Sequence, residues 1–343
     1  MDRQTEGNEL FAAWRALTGT PTGEGWSTIP VARGGPCSLL AGRRFPGNEE
    51  ALLIGFSNLQ IPSDVQLPQA HGFSVSRARI GKDHSSRVWI GLCRKDSGSL
   101  DLFAKMAEDV VATLGKLHDA DDMKLFRAFL ARISAWQNFM QRGGDYVLSQ
   151  EAEVGLFGEL ALLLDLLQAG LLPDFVVEAW QGPLDGIHDF VFGTGAIEVK
   201  TTASPNGFPA TISSLDQLDD SLVRPLFLAA IRLSLGASGR TLSEQVAAVR
   251  ELVRLSPVAE TALETLLLRA GFLDAARERY SRRFSRIGNK MLLVEEDFPR
   301  LTRMNLPIEI RNARYEIDLD LTVAKEVAIF DALSQLGVVQ QWN

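Results

Sequence analysis

Ile187 to Thr202 reads IHDFVFGTGAIEVKTT. Apolar residues alternate on either side of a Gly-Thr-Gly break, the pattern of two short antiparallel strands joined by a tight turn. With Gly193 and Thr194 as a two-residue loop, Phe192 faces Gly195, and the register carried back along the strands sets Asp189 opposite Glu198. Strand alternation puts Lys200 on the face of Glu198 and sends Ile197, Val199 and Thr201 to the other. A slip of one residue would move Asp189 off that face, so the cluster depends on the turn.

Two carboxylates a cross-strand distance apart resist joint ionisation unless a cation or a proton lies between them. Mg²⁺ suits so sparse a site, because it is held by one or two carboxylates, keeps several waters and takes further oxygens from a substrate phosphate. Zinc does not suit it: the four histidines (His71, His84, His118, His188) and two cysteines (Cys37, Cys93) are scattered, without ligand spacing. Lys200 beside such an ion could position or deprotonate an attacking water, or neutralise charge developing on a phosphodiester. The chemistry these residues suggest is metal-assisted hydrolysis.

Asp189, eight intervening residues and then Glu198-Val199-Lys200 resemble the PD-(D/E)xK nuclease signature, with HDF in place of PD. The order GLFGELALL, HDF, EVKTT and ISSLDQL, between about residues 150 and 220, is similar to an uncharacterised bacterial PD-(D/E)xK family associated with restriction and defence gene sets. The resemblance implies an α/β, restriction-endonuclease-like core, a mixed sheet flanked by helices. It also implies a Mg²⁺- or Mn²⁺-dependent endodeoxyribonuclease serving a restriction or defence system. Asp189 and Glu198 would then be metal ligands, supplemented by Glu159 from the helix before the hairpin. Lys200 would serve the water and the transition-state charge, and Gln217 would orient the water or touch the nucleic acid. DNA is the implied partner, with a homodimer or partner subunits possible. Read from its residues alone, Glu159 is more simply a buried acid satisfied by backbone or an arginine.

With 46% hydrophobic and 23% charged residues among 343, and no low-complexity tract or fixed-period repeat, the chain reads as folded. The start MDRQTEGNEL has no basic-then-apolar pattern, and no apolar run reaches bilayer length, so the expectation is a cytoplasmic protein with no membrane partner. Neither GxxxxGK[ST] nor GxGxxG is present, which leaves ATP-driven chemistry without support. The net charge of −8 argues against a basic coat for sequence-blind nucleic-acid binding. One run departs from it: Arg277, Arg279, Arg282, Arg283, Arg286 and Lys290 stand against the single acid Glu278, interleaved with Tyr280 and Phe284. It is either a phosphate track, a solvated helix face, or a set of internal ion pairs with partners such as Glu295, Glu296 or Asp297.

The chain divides into four expected segments. Residues 1–98 form a β-rich N-terminal domain, with a helix over Asn8–Leu17 and strands over Ala51–Phe56, Phe73–Ile80 and Arg87–Arg94. Its Arg77, Arg79, Lys82 and Arg87 are assigned to a solvated sheet face. Residues 99–145 form a helical linker, Leu100–Leu117 and Asp121–Arg142, stopped by Gly143-Gly144-Asp145. The nuclease-like core, 146–235, has a helix over Ser149–Gln168 capped by Ser149, in which Asp165 lies on a solvated face. A strand follows over Val176–Gln181 with Glu178 as a weaker candidate acid, then a turn holding Asp185 and a structural His188. Beyond the hairpin come strands Ala210–Ser214 and Leu226–Leu235, the latter central. The α+β region 236–343 has helices Leu242–Leu255 and Val258–Ala270, strands Met291–Glu295, Ile308–Arg311 and Tyr315–Leu321, and a helix near Val327–Leu336. It is a winged helix or an extension of the nuclease sheet. Two other functions fit the same residues: a nucleic-acid-binding module without catalysis, and a structural subunit whose acids pair with arginines.

Overall fold

Alternating apolar residues in the N-terminal part build a curled antiparallel sheet. The computed structural model describes residues 3–19, 24–31, 37–61, 65–81, 86–115, 117, 120–141, 147–221 and 223–338. Lys82, His84, His118 and the Gly143–Asp145 stop lie outside these. The chain groups into two units, Met1–Gly143 and Gly144–Asn343.

The first unit opens with α1 (Arg3–Ala16) and continues through β1 (Gly25–Pro30), β2 (Ser38–Phe45), β3 (Glu49–Phe56), β4 (Phe73–Ala78) and β5 (Val88–Arg94). These five strands pair in the order β1-β2-β3-β5-β4, antiparallel throughout. β1 and β2 are additions to the three strands expected from the sequence. The helices α2 (Leu100–Gly115) and α3 (Asp122–Gln141), expected as a linker, fall inside this unit. They are tied together by Asp109, which accepts from Trp136 Nε1 at 2.7 Å and pairs with Arg132. Trp14 of α1 donates Nε1 to Ala51 O at 2.9 Å and packs on Phe103 of α2, joining both helices to the sheet. On another face of the sheet, Gly42, Gly55 and Gly91 leave room for Trp26, Leu53 and Trp89, whose atoms stand where a Cβ would be.

The second unit starts with α4 (Gln150–Gln168), whose first turn is closed by Ser149 accepting from Ala152 N at 3.2 Å. Val176 to Gln181 is not a strand. Pro173 at the first helical position nucleates α5 (Pro173–Ala179), which buries Val176 and Val177 and leaves Glu178 on the solvent side. After a 3-10 turn over Gly182–Leu184 come β6 (Phe190–Phe192) and β7 (Gly195–Thr202). Phe192 pairs with Gly195 and Phe190 with Ile197, the register expected, and Gly193 takes the positive φ (57°) that the tight loop needs.

The remaining elements are β8 (Pro209–Ile212), β9 (Leu226–Arg240), α6 (Leu242–Val253), α7 (Pro257–Arg269), β10 (Phe284–Leu293), β11 (Tyr315–Asp318), β12 (Glu326–Val327) and α8 (Ile329–Gln335). Ile308–Arg311 forms no strand. The second five-stranded sheet has the order β12-β10-β9-β7-β6, with β7 parallel to β9 and the other pairs antiparallel. β9 is central, and the C-terminal region extends this sheet through β10 and β12, which decides against a separate winged helix. Helix α4 packs on β7, and α6 on β9. Across the sheet, the β8–β11 ribbon places Phe208, Ala210, Ile212 and Leu319 against Ala196, Leu226 and Leu228. Among the described residues no helix is long and apolar enough to cross a membrane.

Candidate active site

The site forms where β6 stops short. Its ladder ends at Phe190, and the Val199 N–H beyond it is taken instead by Asp189 Oδ2 at 2.7 Å. That bond turns the Asp189 carboxylate toward β7. Glu198, 2% exposed, offers Oε1 to Lys200 Nζ at 2.8 Å and to Gln217 Nε2 at 3.1 Å. Gln217 is fixed in turn, its Oε1 accepting from Ser213 N at 2.7 Å. From α4, Glu159 reaches the same place and accepts from Trp180 Nε1 at 2.8 Å. Asp189, Glu198, Lys200, Glu159 and Gln217 are thus brought together.

Burial first, then the charge of Asp189, pushes Glu198 up to about 8, while Lys200 opposes the rise. Burial and Asp189 likewise hold Glu159 well above the ordinary carboxylate range, against the Trp180 bond and Lys200. Burial raises Asp189, against the Val199 bond and Lys200. Glu159 and Asp189 are half-buried and keep some exposed surface. Three carboxyls raised together mark a place short of positive charge, since one lysine faces three acids.

Among the described residues no three His, Cys, Asp or Glu side chains already form a closed ligand set. Mg²⁺ does not require one, because waters and substrate supply most of its oxygens. Two features fit a small hard cation. Glu198 Oε2 is buried without a hydrogen-bond partner. A Cβ at Gly182 would stand 2.6 Å from Glu159 Oε2 and 2.9 Å from Asp189 Oδ1, so the bare backbone there keeps open a space that both carboxylates face.

Several neighbours escaped the sequence reading. Trp180 and Gly182 follow directly on the helix misread as a strand. His188 is buried, as expected of a structural residue, but its ring also hydrogen-bonds the backbone of Gln217; burial lowers its pKa and its Nε2 has no partner. Arg300 grips the same loop through Leu218 O at 2.7 Å and Asp220 at 2.8 Å, and Arg303 pairs with Asp216 at 3.0 Å. Only a C-terminal segment folding back could reveal those two. Asp185 sits exposed in a left-handed turn (φ 59°), as its turn role requires.

The basic run is not a helix face. Arg277 and Arg279 end a 3-10 turn, and Arg286 and Lys290 lie on β10. Arg282 pairs with the buried Glu153, Arg283 with Glu244 at 2.7 Å, and Arg286 with Asp165, which is therefore paired rather than simply solvated. None of these partners is among the downstream acids expected. Tyr280 and Phe284 are buried against Phe272 and Phe157, so they are core and not stacking platforms.

A mixed sheet flanked by helices, with Asp189 and Glu198-x-Lys200 on one hairpin, is a restriction-endonuclease-like core of the PD-(D/E)xK class. Residues 10–320 match a family model described as "Putative PD-(D/E)XK family member, (DUF4420)", and the chain belongs to that family. No curated protein and no solved structure matches it.

Proposed function

We propose that the second unit is a metal-dependent nuclease that hydrolyses phosphodiester bonds in DNA, as part of a restriction or defence system. The observation that supports this reading is the buried meeting of Glu159, Asp189 and Glu198 around one lysine, with Glu198 Oε2 left unpaired. Asp189 and Glu198 would hold Mg²⁺ or Mn²⁺, with Glu159 as the third carboxylate. Such an ion, when bound, stabilises charge on the phosphoryl oxygens and makes a coordinated water a stronger nucleophile.

The protein groups do the rest. Gln217 keeps Glu198 oriented through its bond to Oε1, and Glu198 so oriented would help hold the ion. Lys200, which holds Glu198 Oε1 at 2.8 Å, would steer the attacking water and meet charge developing on the phosphate. The Val199 N–H fixes Asp189 so that its second oxygen faces the gap beside Gly182. Where a duplex is cut on both strands, two copies of the chain supply the two sites.

The test is Mn²⁺ binding by calorimetry together with cleavage of DNA, for the wild type and for Asp189→Ala. Metal binding and cleavage that both vanish in the variant support the assignment. Cleavage that survives Asp189→Ala removes it, and salt-sensitive DNA binding without cleavage by any preparation identifies a binding module instead.

A further inference from the structure

The two units differ in charge. Residues 1–143 carry 17 Lys and Arg against 15 Asp and Glu, a net charge of +2, whereas residues 144–343 carry 18 against 28, a net charge of −10. A polyanion is repelled by the second number, and of the six cations in the basic run there Arg282, Arg283 and Arg286 each already hold an acid, which leaves Arg277, Arg279 and Lys290 at the surface. The first unit presents the opposite case.

β1 and β4 are the two edges of its sheet, yet residues of both line one open cleft of about 390 Å³, so the sheet curls until its edges face each other. Trp26, Arg44, Arg77 and Arg79 line it, with Glu24 as its one acid. Arg44 and Arg79 are exposed and make no ion pair or side-chain hydrogen bond with a described residue. Arg77 is also exposed and donates Nη2 to Ile61 O at 3.0 Å. Trp26 is the direct cross-strand partner of Arg44, so the indole and a guanidinium share one face. The indole is half-buried against Leu40, Leu53 and Trp89, which holds it in place as a fixed platform.

We propose that this cleft binds single-stranded nucleic acid, with phosphates on Arg44, Arg77 and Arg79 and a base against Trp26. Guanidiniums that track a backbone beside an aromatic platform are the general means of holding a strand without reading its sequence. The cleft has the volume of a small-ligand pocket, enough for an unpaired nucleotide. The proposal rests on the nuclease reading only in taking the anion to be nucleic acid.

The test titrates the full chain, in EDTA so that nothing is cut, with a fluorescein-labelled oligo(dT) strand at several KCl concentrations. In the triple variant Arg44→Ala, Arg77→Ala, Arg79→Ala the slope of log affinity against log salt should flatten by about 2, at about 0.7 for each phosphate that no longer meets an arginine. Trp26→Ala should weaken binding about 5- to 150-fold at fixed salt and keep the slope. Should that variant fold poorly, the arginine triple, changed only at exposed positions, still decides. An unchanged slope in the triple variant, or no salt-dependent binding by the wild type, overturns the proposal. Cleavage by wild type and Asp189→Ala is scored separately. An unchanged slope with cleavage lost in Asp189→Ala removes the cleft and keeps the nuclease, whereas a flattened slope with no cleavage by any preparation does the reverse.

Discussion

Glu198 sets the behaviour expected at the scale of one residue. Its folded-state pKa of about 8 lies above the ordinary value of 4.5, so over that interval the folded protein holds a proton that the unfolded chain has released. The folded state then binds more protons, and stability falls as pH rises. This contribution is full below about pH 4.5 and lost as pH passes through about 8. Thermal melts of metal-free protein should show the decline across that window, and Glu198→Gln should show a smaller one; equal pH dependence in the two proteins would contradict the assignment. Added Mg²⁺ should raise the melting temperature most at the alkaline end, where the acids are ionised. Lys200→Ala should keep the fold and metal binding but cleave about two to four powers of ten more slowly, the usual scale for one positioned acid-base group. Gly182→Ala is the complementary change: its methyl would enter the gap between Glu159 and Asp189, so Mn²⁺ affinity measured by calorimetry should drop while secondary structure persists.

Among the elements, α4 is the one whose seat matters most. A methyl at Gly158 would overlap the hydroxyl of Thr201 on β7, so this glycine lets helix and strand close up and Glu159 arrive at the site. Alanine is the better helix former by roughly 1 kcal/mol, yet Gly158→Ala should lower nuclease activity because α4 must back away. Thr201→Ala should restore part of it, since Thr201 Oγ1 is buried without a partner and its removal breaks no hydrogen bond. Activity unaltered in the single variant would show that the seat does not matter. The hairpin beside this contact was legible in the sequence because alternation around Gly193 admits one register, and the Ser149 cap marks the start of α4 just as plainly. Helix α5 was not: Val176 and Val177 favour a strand by propensity, and packing over the sheet edge overrides that preference. The curl of the first sheet was hidden too, since the room that Gly42, Gly55 and Gly91 leave for Trp26, Leu53 and Trp89 is set by strand pairing and by no local pattern. Long-range partners lie furthest from view. Nothing local to Arg282 says that its acid is Glu153, 129 positions away.

For the whole molecule, that pair makes a stability prediction. Arg282→Ala strands a carboxylate that is 1% exposed, so it should cost about 3 kcal/mol, the low end for a broken buried pair because Arg282 itself keeps some solvent contact. The measurement is a denaturant midpoint, accompanied by oligonucleotide binding. A lowered midpoint with an unchanged salt slope is expected, and the opposite result would restore the run as a phosphate track. The fastening of the Ser213–Asp220 loop has a further consequence, for biosynthesis. The loop that carries Gln217 is gripped by Arg300 and Arg303, more than eighty residues later in the chain. The sheet beneath it is likewise completed by β10, which pairs along β9. On the ribosome, a chain that has emerged only as far as the hairpin holds Glu159, Asp189, Glu198 and Lys200 but not Gln217, and it has two of the five strands of its sheet. The order of translation therefore leaves the loop that carries Gln217 unfastened until Arg300 and Arg303 have been made. A ribosome-arrested chain ending before Arg300 should accordingly leave DNA uncut.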